Sequence, residues 1–126
     1  MKQMFLLFSH NLTPLQKMDA KNSLHVENFV ILPEYLQKLW SDIPAELSDL
    51  KEYLAPLKKY ISKKAKANDV ILVQGDFAGV YEMVSFIKSL GLKAVHSTTK
   101  REVSEVTDGD VVKKSSIFKH ICYREY

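Results

Sequence analysis

Val70-Ile71-Leu72-Val73-Gln74-Gly75-Asp76 sets four consecutive apolar residues against a polar turn. A run this short, rich in β-branched residues and without alternation, reads as a strand buried on both faces of a parallel sheet. Three further runs share its character: Met4 to Phe8, Phe29 to Leu32 and Lys93 to His96. The stretches between them carry helical signals. Thr13-Pro14 pairs an N-cap residue with proline at the first helical position, which opens a helix running to about Ser23. Ser48 to Lys66 places Leu50, Leu54, Leu57 and Ile61 at helical spacing, with Pro56 forcing a kink or a restart. Residues 78–90 put Val80, Met83, Val84 and Ile87 on one face and end before Gly91.

Strands alternating with helices predict a three-layer α/β domain with a mainly parallel sheet, formed by residues 1–126 as a single unit. The tail has a different pattern. Arg101 to Val106 alternates, Asp108-Gly109 marks a tight turn, and Val111 to Tyr123 supplies further strand, so a C-terminal β-hairpin extends the sheet. Pro33 to Leu47, with Trp40 and Pro44, is the least regular connection: a short helix and loop that reads first as packing, with a lid or a dimer contact as alternatives.

A chain of 126 residues with 46% apolar and 26% charged residues can bury the core that such a domain needs. A net charge of +3 does not announce nucleic acid, but it suits a small anion in a local basic pocket. The single cysteine, Cys122, has no partner for an internal disulfide and lies in an alternating segment, which predicts a core thiol. The opening apolar run is too short for a secretory signal and no run is long enough to span a membrane. These features predict a cytoplasmic protein without a membrane partner. One cysteine and widely separated His25, His96 and His120 offer no metal-ligand spacing, and the Gly-x-Gly-x-x-Gly dinucleotide fingerprint is absent. The lysines at 58, 59, 63, 64 and 66 read as a solvated helix face.

Ligands of open α/β sheets bind outside the carboxyl ends of the strands. Three polar clusters fall there. Ser9-His10-Asn11 combines a hydroxyl with a proton-exchanging imidazole, or else satisfies a strand end. Gln74-Gly75-Asp76 allows close backbone approach and offers groups for a base edge or a ribose, or else an N-cap aspartate after a turn glycine. The small Ala78-Gly79 that follows leaves room for a ligand or a second copy. Ser97-Thr98-Thr99-Lys100-Arg101 supplies hydroxyls and two adjacent cations, a phosphate cradle or a plain polar loop.

Phe8-Ser9-His10-Asn11-Leu12-Thr13-Pro14-Leu15-Gln16, Val73-Gln74-Gly75-Asp76-Phe77 and Ser97-Thr98-Thr99-Lys100-Arg101, in this order, resemble the small Csx-type proteins of type III CRISPR loci. That group includes stand-alone ring nucleases. The resemblance implies a Rossmann-like fold related to CARF sensor domains and a homodimer with its ligand across the two-fold axis. It further implies a cyclic oligoadenylate ligand, in particular cyclic tetra-adenylate, and metal-independent cleavage without a cofactor. Within that reading His10, Lys100 and Arg101 are the expected catalytic residues. Ser9, Asn11, Gln74, Gly75, Asp76, Ser97, Thr98 and Thr99 are expected to bind the ligand, and DNA is not an expected partner. Two alternatives stand beside it: a module that binds the cyclic nucleotide without cutting it, and another nucleotide-handling enzyme, which the missing glycine fingerprint disfavours.

Overall fold

The computed structural model describes residues 1–126 and builds a mixed α/β domain around one five-stranded sheet. The elements run β1 (Gln3–Leu7), α1 (Pro14–Leu24), β2 (Asn28–Ile31), α2 (Glu34–Ser41), α3 (Ala55–Lys64), β3 (Val70–Val73), α4 (Phe77–Ser89), β4 (Lys93–Asp108) and β5 (Val111–Glu125). Strand order is β2-β1-β3-β4-β5. The first four strands are parallel and β5 is antiparallel to β4. No helix is long and apolar enough to cross a membrane.

Alternation along the strands divides the core in two. Met4, Leu6, Val70, Leu72 and Val95 pack with Ala20 of α1 on one face. Phe5, Leu7, Ile71, Val73 and Ala94 pack with α2, α3 and α4 on the other. β1 and β3 are buried on both faces, as their unbroken apolar runs require. β2 is an edge strand instead, and Ile31 is 72% exposed.

Local signals explain most helix limits. Thr13 Oγ1 accepts from Gln16 N at 3.2 Å and Gln16 Oε1 accepts from Thr13 N at 2.9 Å, a reciprocal cap that fixes the start of α1. Pro56 sits in the first turn of α3, where its missing N–H leaves no bond unmade. The helix expected from Ser48 therefore begins at Ala55, and the preceding residues form turns. The irregular 33–47 segment holds α2, whose Leu36 and Trp40 are buried one turn apart. Trp40 Nε1 donates to Gln74 O at 3.1 Å, so this segment packs beneath the β3 turn.

The C-terminal part of the chain departs from expectation twice more. β4 does not end at His96; it continues unbroken to Asp108 and pairs with β5 as a long two-stranded arm beyond the sheet. Cys122 is exposed, not a core thiol. The ladder shifts register between Ser97 and Thr99, and this bulge brings Cys122 Sγ to 3.2 Å from Thr98 Oγ1.

Candidate functional site at the carboxyl edge of the sheet

The chain leaves β1 toward β2 on one side and later returns to β3 on the other, so β1 and β3 flank the point where strand order reverses. Ser9-His10-Asn11 follows β1 and Gln74-Gly75-Asp76 follows β3, which makes the two clusters neighbours. Gln74 N donates to Leu7 O at 3.0 Å, so the β3 turn is tied directly to the end of β1.

Ser9, His10 and Asn11 are exposed. With Phe8, Lys17 and Gln37 they line a cleft of about 450 Å³ on the β2 side of β1, above the first turn of α1. Gln37 Nε2 donates to Phe8 O at 2.8 Å and holds the loop from α2. His10 lies edge-on to the Phe8 ring, with centroids 5.4 Å apart. Lys17 is the cation of this cleft. It lies four residues beyond the Thr13 cap, on the same side of α1 as the cap, and the sequence reading missed it.

The β3 cluster is largely committed to the fold. Gln74 Oε1 accepts from Ser97 N at 2.7 Å, which orients the amide and leaves its NH2 group directed elsewhere. A Cβ on Gly75 would meet the Trp40 indole at 3.2 Å, and the φ of +157° is one that side chains rarely adopt, so the turn favours glycine on both counts. Asp76 caps α4, its Oδ2 accepting from Gly79 N at 2.9 Å. The smallness at Ala78-Gly79 does not serve a ligand at Gly79, which is buried against Ile43 and Trp40. Phe77, by contrast, is 95% exposed at the start of α4.

The third cluster is not a loop after a strand. It lies within β4, and strand alternation separates its members. Ser97 is only 6% exposed on the α1 side and belongs to a hydrogen-bonded chain. Its Oγ lies 2.5 Å from His120 Nδ1, and His120 Nε2 lies 2.7 Å from Asp19 Oδ2. In a neutral ring beside an ionised Asp19, Nε2 carries the proton and Nδ1 accepts the Ser97 hydroxyl. A hydrogen bond from Ser23, opposed by partial burial and reinforced by His120, holds the Asp19 carboxyl below its usual range. Tyr123 lies against the His120 ring and donates to Gln16 O at 2.9 Å. Burial, with the Asp19 charge second, pushes the Tyr123 phenol far upward. The order hydroxyl, imidazole, carboxylate is that of an activated nucleophile, but Ser97 is too enclosed to reach a substrate. The chain instead pins the base of the arm to α1.

Thr98 Oγ1 donates to Cys122 O at 3.1 Å, so that hydroxyl is engaged in the bulge. Thr99, Lys100 and Arg101 are exposed. Lys100 and Arg101, expected as one cationic pair, point to opposite faces of the arm because successive strand residues must. Directly opposite Lys100 on the antiparallel strand stands Lys119, which no local sequence signal could have indicated.

A profile of the family described as Uncharacterized protein MJ1673 matches residues 2–124. Uncharacterized protein MJ1673 of Methanocaldococcus jannaschii is 45% identical over 127 residues, an alignment covering 100% of this chain and 98% of that one. No solved structure matches the chain.

Proposed function

The chain belongs to the Uncharacterized protein MJ1673 family, and for this member we propose a ring nuclease of the Csx type that linearises a cyclic oligoadenylate. The observation that carries the reading is the adjacency of the Ser9-His10-Asn11 and Gln74-Gly75-Asp76 clusters at the strand-order reversal. An arm that carries Lys100, Arg101 and Lys119 near its base rises beside them. In this reading the domain is Rossmann-like and CARF-related, cytoplasmic, and works without a metal or cofactor. A second copy completes the site across a two-fold axis, so that each cluster meets a ligand of matching symmetry twice. Apolar side chains exposed on the arm, among them Val103, Ile117 and Phe118, support such a homodimer, since a bare two-stranded ribbon is marginal in water.

The chemistry asks little of the protein beyond placement. A ribose 2′-oxygen attacks the adjacent phosphorus in line, and the bond from phosphorus to the 5′-oxygen breaks. The 2′-hydroxyl gives up its proton, the leaving 5′-oxygen gains one, and the products are a 2′,3′-cyclic phosphate and a 5′-hydroxyl. Ser9, Asn11 and the Gln74 NH2 group hold ribose and phosphate, while Lys17 and Lys100 offset the phosphoryl charge. His10 transfers the proton, a contribution of about 10²- to 10⁴-fold in rate. Phe77 offers an open ring on which an adenine can stack.

One observation favours the alternative of binding without cleavage. His10 is exposed and its ring contact is with Phe8, with no carboxylate to orient it as His120 has. A single assay separates the readings. Incubation of the protein with cyclic tetra-adenylate in EDTA is expected to yield linear product ending in a 2′,3′-cyclic phosphate. Tight binding with unchanged ligand recovered selects the binding module, and neither binding nor turnover removes both.

A further inference from the structure

The arm has one rung that works against its own stability. Cross-strand neighbours in an antiparallel pair share a face and stand about 4.5–5.5 Å apart at Cβ, and like charges directly opposite destabilise the pair. Among the paired residues from Val95–Glu125 to Asp108–Val111, Lys100–Lys119 is the one pair of like charges. Elsewhere the arm does the opposite. Glu105 faces Lys114, and their charged atoms meet at 3.5 Å. Lys100 and Lys119 take part in no ion pair of the chain. Glu102, on the next rung of the same face, is paired opposite Ile117 and is within ion-pair distance of neither lysine.

The position of the rung is equally informative. Ala94 packs with α2, α3 and α4, so alternation places His96, Thr98 and Lys100 on that side of the sheet. Lys119 shares the side as the partner of Lys100, and so does Arg124 as the partner of His96. Lys100 is three residues past Ser97, which is bonded to Gln74, and so rises about 10 Å above the carboxyl edge. Arg101 and Thr99 point to the α1 side instead.

We infer that Lys100 and Lys119 form a two-lysine clamp for a phosphodiester of the ligand, and that Arg101 lies outside it. The ligand class rests on the proposed function, but the clamp itself is defined by the register of the arm. An anion between the two ammonium groups turns their repulsion into two charge-assisted bonds. The cost of the bare rung is thus the trace of a ligand site.

The test uses the full chain and its Lys100→Ala, Lys119→Ala, Arg101→Ala and Lys119→Glu variants. Calorimetry with cyclic tetra-adenylate is expected to show about tenfold or greater loss of affinity for each lysine variant. Arg101→Ala should stay within about twofold of the parent. Without ligand, Lys119→Glu should raise the melting temperature, because an opposite-charge rung replaces a like-charge one, and high salt should erase the gain. If the parent protein binds no cyclic tetra-adenylate, the ring nuclease reading fails. The clamp is then read with inorganic tripolyphosphate, which must raise the melting temperature of the parent more than that of Lys119→Ala. Equal shifts overturn the clamp, as does an Arg101→Ala loss matching that of Lys119→Ala.

Discussion

Asp19 Oδ2 lies 2.7 Å from His120 Nε2, joining α1 to the foot of the C-terminal arm across 101 positions of sequence. Ser97 closes the chain on the other ring nitrogen, and both Ser97 and His120 are buried. Both ring nitrogens of the imidazole are therefore engaged, and the arm leaves the sheet at a fixed point.

Replacement of His120 by alanine strips a partner from Ser97 and from Asp19 at once. The expected loss is roughly 1–3 kcal/mol in urea unfolding, the usual penalty for leaving buried polar groups unmet. Amide exchange in residues 98–119 should quicken more than exchange in β1 or β3. Uniform quickening throughout the sheet would show that His120 supports the body and not the arm.

Acid should act on the same chain. The Asp19 carboxyl is held below its ordinary range, chiefly by Ser23, so its stabilisation is full above the unfolded value and lost as pH falls through the folded one. Urea midpoints measured from about pH 5 to pH 2 should fall less steeply in Asp19→Asn than in the parent. Ser23→Ala should reproduce much of that flattening. A parallel fall in all three proteins would contradict the assignment.

His96 should give a slope nearer neutrality. Burial first, and the Arg124 charge second, lower its pKa, while its backbone hydrogen bond with Ser97 pulls the other way. The folded state thus favours the neutral ring, and the unfolded chain binds the proton more readily. Stability should be full above about pH 6.5 and decline as pH drops through the folded pKa. His96→Phe retains an aromatic ring against Tyr126 and should remove this part of the slope, as read from melting temperatures between pH 5 and 7.

Gly75 and Trp40 form the other close contact at the edge. Gly75→Ala forces a methyl group against the indole and is expected to cost about 1–3 kcal/mol. Trp40→Phe in that background should recover part of the loss by making room, although it leaves Gln74 O without its donor. A double variant no more stable than Gly75→Ala would show that the strain lies in the backbone turn instead.

At the proposed active site, His10→Ala should slow cleavage of cyclic tetra-adenylate by at least about 10²-fold while leaving affinity nearly unchanged. Full turnover in that variant would assign the proton transfer to another group.

The parallel strands were legible because β1 and β3 are buried on both faces, and unbroken apolar runs record that burial directly. Helix limits at Thr13 and Pro56 were legible in their capping chemistry, though Pro56 restarts its helix at Ala55 where a longer one was expected. What escaped was everything fixed by register. Ser97 to Arg101 has the composition of a loop, yet pairing with β5 makes it strand and separates Lys100 from Arg101. Cys122 looked apolar by alternation, and the bulge that exposes it leaves no mark in composition. His120, Asp19 and Lys119 acquire their meaning from partners 19 to 101 residues away. Asp76 shows a different limit, because a residue suited to ribose recognition also suits a cap, and here its carboxylate holds the start of α4, while Gln74 commits its oxygen to Ser97 and keeps only its NH2 group.

The arm is also expected to divide the molecule thermally. From Thr99 to Lys119 every residue is exposed, and beyond the body each strand has only the other for a neighbour. Such a unit can open while the body stays intact, at a fraction of the global unfolding free energy. In the proposed complex, a ligand gripped by both body and arm must therefore order the arm as it binds. Warming from the body's comfortable range toward the arm's own melting point should weaken that grip well before the protein unfolds. Occupancy of the proposed site would then serve, in effect, as a thermometer for the arm.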